Sequence, residues 1–344
     1  MSGVATVVGS GSWGTAMCGL LAAHVGEVRL WCRDPELADA VNRDRVNPRH
    51  LSGYRLPDAV VATGNDARAL EGADAVVLAL PSAHLAAVCR RLAPHVPADA
   101  PVLVLTKGVE PGTGALMLDV AARELGGEGR LAVLSGPNHA EEICQGKLSA
   151  AVLAARDAAV AERLRELVVN PSFRVYVSQD VTGVEICAAV KNVIAIACGV
   201  LAGRGAGDNA LAVIMTRGLA EIARIAAALG ADPLTPMGLA GMGDLVATCT
   251  SRHSRNRAFG EAFARGETLE AYEARTRMVV EGARAARSVA ELARRHGVEA
   301  PLTLAVDEVL HEGMPVERAI DALLDRRPGE EFYGIVPSQG KENA

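Results

Sequence analysis

The sequence predicts an α/β protein, with an N-terminal doubly wound Rossmann-type sheet followed by an all-helical C-terminal domain. Three observations lead there. A strand-like run, Val4-Ala5-Thr6-Val7-Val8, opens directly onto Gly9-Ser10-Gly11-Ser12-Trp13-Gly14. Short apolar runs then alternate with helix-like segments up to about residue 180, the order of a parallel sheet with crossover helices. Beyond that point strand patterns stop and helical periodicity takes over.

The glycine spacing fits a dinucleotide turn. Gly9 permits the tight bend, Gly11 lets the backbone approach a pyrophosphate, and Gly14 lets helix pack on strand. A helix-like run over 15–24 follows, and free N–H groups at a helix start favour an anion. Residues 27–32 read as the second strand. It ends at Arg33-Asp34-Pro35, where a dinucleotide's adenosine ribose is read. An arginine there accommodates a 2′-phosphate and an acidic residue a 2′-hydroxyl. Both are present, which favours NADP(H) without excluding NAD(H). Asp34 could equally start a turn or a helix.

Residues 74–80, 101–105, 131–134, 149–154 and 173–177 read as the remaining strands. Ligands of such sheets sit beyond the carboxyl ends of strands. Lys107, Gly136 and Asn138 lie at such ends, although a solvated loop position would also suit Lys107. Helical runs follow at 181–202, 208–229, 256–265, 281–296, 301–311 and 315–325. The glycine-rich stretch 203–207 has no strand before it and reads as a helix–helix turn, with Asp208 as N-cap. The expected organisation is a nucleotide domain over 1–180, a helical substrate domain over 181–326 and a flexible tail over 327–344.

The lysines of the chain are Lys107, Lys147, Lys191 and Lys341, against 31 arginines. A buried lysine can lose its proton, whereas an arginine effectively cannot. Lys191 sits in the apolar run Ala188-Ala189-Val190-Lys191-Asn192-Val193-Ile194-Ala195. Desolvation there would push it towards a general acid/base; a lysine snorkelling from a helix face is the plain alternative. Asp244 follows a small turn, Gly241-Met242-Gly243, and could also be a simple helix cap. Ser254-Arg255-Asn256 offers a hydroxyl, a guanidinium and an amide before a helix, a good phosphate site. Val279-Val280-Glu281-Gly282 precedes another helix and could close over a cofactor.

Composition narrows the class. The net charge of −6 and 3% aromatic content argue against a nucleic-acid partner. Seven scattered cysteines without a CxxC read as reduced residues of a cytoplasmic protein, and no metal is expected. No basic segment precedes the first apolar run, so no signal peptide is expected. The most apolar stretch holds Glu185 and Lys191, which favours a buried core helix over a membrane span.

From Gly9 to about residue 333 the chain resembles the bacterial type of NAD(P)-dependent sn-glycerol-3-phosphate dehydrogenase. The resemblance rests on GSGSWGT near the start, LTKG at 105–108, SGPNHAEE at 135–142, AAVKNVIAIACG at 188–199, GMGDLVATC at 241–249, SRNR at 254–257 and VVEG at 279–282. It implies reduction of dihydroxyacetone phosphate to sn-glycerol 3-phosphate with NAD(P)H, for phospholipid synthesis, by a homodimer. It implies that Lys191 exchanges the proton and that Lys107 contacts cofactor and substrate. Gly136, Asn138, Asp244, Ser254, Arg255 and Asn256 match positions that line the substrate. Ser12, Trp13, Arg33, Ala140, Val279 and Glu281, again with Arg255, match positions that contact the dinucleotide. Asn138-His139 departs from the Ser-Phe of many members, although an amide can still hydrogen-bond a substrate. Two other readings keep the architecture. One takes a different hydroxy acid or sugar phosphate; the other is a non-catalytic NADP(H)-binding regulator, which would not need Lys107, Lys191 and Asp244 together.

Overall fold

The computed structural model describes residues 3–327, 329–331 and 333–335. It divides into two compact units. The first comprises Met1–Lys107 and Met117–Val181, and the second Gly108–Leu116 with the chain from Thr182 onward.

The first unit is built on eight strands: β1 (Val4–Val8), β2 (Glu27–Trp31), β3 (Val60–Thr63), β4 (Ala75–Leu78), β5 (Val102–Val104), β6 (Leu131–Ser135), β7 (Ser149–Ala155) and β8 (Phe173–Ser178). Its helices are α1 (Ser12–Leu21), α2 (Pro35–Asp44), α3 (Asp66–Leu70), α4 (Ser82–Leu92), α5 (Met117–Leu125), α6 (Ala140–Ile143) and α7 (Ala158–Val168). The strand order is β3-β2-β1-β4-β5-β6-β7-β8. β1 pairs with β2 on one side and β4 on the other, both in parallel. The order therefore reverses beside β1, which creates the crevice where doubly wound sheets bind ligands. The residues of β4, β5 and β6 are all buried, as expected of strands covered on both faces.

The doubly wound class is as expected, but the sheet is not wholly parallel. β7 runs antiparallel to β6, with Ala132 opposite Ala155. A parallel return needs a crossover element that spans the sheet. The connection over 136–148 holds only the one-turn helix α6, so the chain doubles back. β8 then pairs in parallel with β7. The sequence reading also passed over β3, which is only four residues long.

The second unit holds α8 (Val181–Gly203), α9 (Asp208–Ala228), α10 (Asp244–Thr250), α11 (Arg255–Phe263), α12 (Leu269–Thr276), α13 (Glu281–Arg295), α14 (Pro301–His311) and α15 (Val316–Leu324). Among its described residues no strand follows β8. Gly207, not Asp208, is the N-cap of α9, and Asp208 sits in the first turn, where its charge still complements the helix dipole. α8 is long and apolar enough to cross a membrane, yet 83% of its most apolar window is buried inside the protein. It is a core helix.

Its neighbours approach α8 through glycine. A Cβ on Gly260 of α11 would lie 2.3 Å from the Ile196 carbonyl oxygen. A Cβ on Gly282 of α13 would lie 2.5 Å from that of Asn192, and one on Gly218 of α9 would lie 2.7 Å from the Ile194 side chain. Only hydrogen fits against the α8 backbone at Gly260 and Gly282, while Gly218 packs closely on the Ile194 side chain, so α8 is held by three neighbours. The described part of the tail packs on α9. Arg217 donates to the Glu331 carbonyl at 3.2 Å, and the Arg224 guanidinium lies 4.5 Å from the Tyr333 ring centroid. Residues 328, 332 and 336–344, with Lys341, belong to the expected flexible tail and lie outside the described residues.

Candidate active site

The first unit presents a turn between β1 and α1. Gly9 has φ +114°, and a Cβ there would come within 2.3 Å of the Ala79 carbonyl oxygen. A Cβ on Gly14 would lie 1.9 Å from the Gly9 carbonyl oxygen. These two glycines are required by the fold itself. Gly11 is different, because a Cβ there would meet nothing within 4 Å. The space over Gly11 is open, and Gly11 caps α1 with no side-chain hydrogen bond and no acidic residue in the first turn. Unclaimed N–H groups beside open space suit a pyrophosphate.

Ser12 and Trp13 begin α1. Trp13 meets Phe173 edge-on at 6.2 Å between centroids, and its buried Nε1 finds no acceptor among the described residues. Asn47, fully buried, donates through Nδ2 to the Ser10 carbonyl at 2.8 Å and to Thr15 Oγ1 at 2.9 Å. It ties a distant loop to the turn. Arg33 is exposed just past β2. Asp34 caps α2, its carboxylate accepting from the Glu36 N–H at 3.0 Å, and it pairs with Arg49. The Arg49 guanidinium holds the Asp34 carboxyl below the usual carboxylate range. With the open glycine cradle and the unclaimed α1 terminus, these residues fit a dinucleotide.

The other strand ends carry the remaining residues of this unit. Lys107 is half-buried beyond β5, next to Thr106, whose hydroxyl donates to the Leu80 carbonyl at 2.9 Å. Gly136, after β6, has φ +151°, and a Cβ would lie 2.7 Å from Ala151 Cα. Its close approach to β7 explains the glycine. Asn138 is 9% exposed and its Nδ2 has no partner among the described residues. A buried amide donor left open is a place for a ligand acceptor. Ala140 is buried at the start of α6.

In the second unit α8 carries Lys191, which is 5% exposed. Its Nζ donates to Asp244 Oδ1 at 2.9 Å and to Thr248 Oγ1 at 2.8 Å. Thr248 Oγ1 also lies 3.2 Å from Asp244 Oδ1. Asp244 and Thr248 stand one turn apart on α10, so they share a face. A π-helical turn, Leu239–Gly243, leads into α10. Such turns are frequent at functional sites, and a Cβ on Gly241 would lie 2.0 Å from the Pro236 carbonyl oxygen. Burial of Lys191 favours a neutral amine and the adjacent carboxylate favours the ammonium. The cluster holds both states within hydrogen-bonding reach of the same partners.

Ser254 is the N-cap of α11, its Oγ accepting from the Arg257 N–H at 3.2 Å. Arg255 is exposed in the first turn and makes no ion pair among the described residues. Asn256 is buried and largely engaged. Its Nδ2 donates to Asn192 Oδ1 at 2.8 Å, and its Oδ1 accepts from the Gly282 N–H at 2.9 Å. This chain fastens α8, α11 and the start of α13 together. Val279 is half-buried, and Glu281 opens α13. Sequence reasoning missed Thr248, Asn192 and Asn47. Thr248 was readable as the i+4 partner of Asp244 once that segment is helical. Asn192 follows Lys191 directly, and only its buried bond to Asn256 reveals its place.

Comparison with known proteins agrees with the architecture. The family description "NAD-dependent glycerol-3-phosphate dehydrogenase N-terminus" matches residues 4–161, and the corresponding C-terminus matches residues 180–321. A glycerol-3-phosphate dehydrogenase of the NAD(P)+ type from Parafrankia sp. is 48% identical over 95% of this chain and 98% of the relative. One from Nocardia farcinica is 49% identical over 94% of this chain and 98% of the relative. The crystal structure of glycerol-3-phosphate dehydrogenase from Coxiella burnetii superposes with a TM-score of 0.90 at 36% identity, covering 94% of this chain and 99% of that one.

The glycine geometry makes a paired prediction. Gly14→Ala forces backbone movement and should cost about 1–3 kcal/mol of stability, read as a lower thermal midpoint. Gly11→Ala should leave that midpoint nearly unchanged while weakening NADPH binding measured by fluorescence. Equal effects of the two substitutions on stability would contradict the division of roles.

Proposed function

The chain belongs to the NAD-dependent glycerol-3-phosphate dehydrogenase family, and from that premise we propose that it reduces dihydroxyacetone phosphate to sn-glycerol 3-phosphate, reversibly, with Lys191 as the general acid. The observation that carries the role of Lys191 is its buried cluster with Asp244 and Thr248. Reduction of a ketone places negative charge on its oxygen. A buried ammonium is the right donor, since its charge is little screened there and its proton can neutralise the alkoxide as it forms. Asp244 and Thr248 hold the amine in one orientation. In the reverse direction the neutral amine would accept the same proton.

The turn of Gly9, Gly11, Ser12, Trp13 and Gly14 is read as the pyrophosphate cradle, with Arg33 at the adenosine end. When bound, the reduced nicotinamide supplies the hydride for the carbonyl carbon. Lys107, Gly136, Asn138 and Ala140 are read as the first unit's further contacts to the bound ligands; the open Nδ2 of Asn138 supports its part. In the second unit Arg255 is read as the phosphate ligand, at the N-terminus of α11. Ser254 retains a hydroxyl proton to donate besides its capping role. The Asn256 side chain mainly maintains the local framework, which leaves its backbone N–H for the anion. Val279 and Glu281 are read as cofactor contacts.

In this reading the product supplies glycerol phosphate for phospholipid synthesis. The protein is read as a cytoplasmic homodimer; its seven cysteines, all free thiols and six of them buried, support a reducing compartment.

Lys191→Ala should lower kcat by about 10²–10⁴-fold while the protein still binds NADPH, as expected for loss of a general acid. Turnover close to that of the parent protein would remove Lys191 from the mechanism. Arg255→Ala should raise KM for dihydroxyacetone phosphate by about 10–100-fold, the worth of one charge-assisted hydrogen bond. An unchanged KM would place the phosphate elsewhere.

A further inference from the structure

Arg257 belongs to α11, yet it also touches α8 and α10. Its main-chain carbonyl lies against Gly199 of α8, where a Cβ would come within 2.1 Å of the oxygen. Its N–H donates to Ser254 Oγ at 3.2 Å, in the first turn of α11. Its Nη1 donates to the carbonyls of Cys249 and Thr250 at 3.0 and 2.7 Å, both at the end of α10. Glu261, one turn further along α11, accepts from its Nε at 3.0 Å.

These bonds close a ring. The last carbonyls of a helix have no partner within it, and a basic side chain that reaches them also meets the negative end of the helix dipole. α10 has no basic residue in its own last turn. Arg257 supplies the cation from α11, eight residues beyond Cys249. Between the two ends runs Ser251-Arg252-His253-Ser254. That stretch is tied internally, since the His253 N–H donates to Ser251 Oγ at 3.0 Å and the Ser254 N–H to the Ser251 carbonyl at 3.2 Å. The ring thus joins the helix that holds Asp244 and Thr248, the partners of Lys191, to the turn that presents Ser254 and Arg255. The Arg257 side chain is only 24% exposed, so little water competes for these carbonyls.

We infer that Arg257 is a positioning residue for the proposed reaction, setting the 254–256 turn at a fixed place relative to the Lys191–Asp244–Thr248 cluster. It acts through the ring between α10 and α11 and needs no contact with the substrate. A ketone whose phosphate is held at Arg255 presents its carbonyl to Lys191 at a separation that this ring sets. Reaction rates are sensitive to misplacements of about 1 Å. Lysine is a poor replacement, because a single ammonium on a flexible stem lacks the planar fork that serves Glu261 and two carbonyls together. The inference rests on the roles proposed for Lys191 and Arg255.

The test is a double-mutant cycle. Arg257→Lys, which keeps the charge, and Arg257→Gln are each made in the parent protein and in Arg255→Ala, and kcat and KM for dihydroxyacetone phosphate are measured. In the parent protein each substitution should lower kcat/KM by about 10-fold or more, with Arg257→Lys the milder. In Arg255→Ala, where the turn no longer holds the phosphate, each should cost no more than about threefold. Residues that act through one another are non-additive in this way, whereas a general loosening of the fold lowers activity equally in both backgrounds. Amide hydrogen exchange without ligand gives a second reading. Residues 251–257 should exchange about 10-fold faster in both Arg257 variants, while residues 186–196 of α8 keep their protection. Equal losses in the two backgrounds, or an unchanged kcat/KM in a parent protein that reduces dihydroxyacetone phosphate, would overturn the inference. Unchanged exchange over 251–257 would overturn it as well, even if the parent protein does not reduce this ketone; that failure by itself would contradict the reaction instead.

Discussion

A charged amine in a protein core is costly unless its partners are supplied with it. The second unit supplies them for Lys191: a carboxylate at 2.9 Å and a hydroxyl at 2.8 Å, both from α10. Much of the unit's architecture follows from keeping that cluster in register. α8 must stay helical and buried, so its neighbours come close through Gly218, Gly260 and Gly282. Asn192, one residue along, is bonded to Asn256 on α11, which is bonded in turn to the start of α13. The same framework sets the first turn of α11, where Arg255 projects into solvent. Loosening any of these contacts would let the ammonium, its carboxylate or the first turn of α11 drift from its place.

The protein as a whole carries a net charge of −6, yet the proposed chemistry handles two anions, a dinucleotide and a sugar phosphate. Local arrangement answers this without a basic surface. In the first unit, backbone N–H groups at the start of α1 and the exposed guanidinium groups past β2 provide the positive potential. In the second, the α11 terminus and Arg255 do so. Oriented dipoles and single arginines would suffice for the proposed anions, because backbone donors already point to where each would be met.

What the sequence disclosed depended on the range over which each feature is determined. The Gly9–Gly14 turn is contiguous, and its steric demands are met within a few residues and the adjoining strand. It was legible at once. Lys191 stood out as a lone lysine in an apolar helix, and Asp244 as an acid after a glycine-rich turn. That they meet was not legible in the local pattern, only as one of two roles the resemblance allowed Asp244, because 53 residues separate them and only packing brings α10 onto α8. Thr248 was hidden for a related reason: the π turn before α10 disguised where the helix begins. β3 was too short to announce itself, and the reversed sense of β7 depends on a connection too short to cross the sheet. Asn47 lies in a stretch without periodicity, and its importance comes from the two segments it joins. The capping role of Asp34 was open to sequence reading, but its ion pair became visible only with Arg49 beside it.

The most direct test of the account is a pair of rates, the loss of NADPH absorbance with dihydroxyacetone phosphate and with unphosphorylated dihydroxyacetone. Rapid oxidation with the phosphorylated ketone alone is expected, since the account joins a general acid to an anion site. Comparable rates with both ketones would contradict the phosphate site. No oxidation with either, from folded protein that still binds NADPH, would contradict the reaction itself.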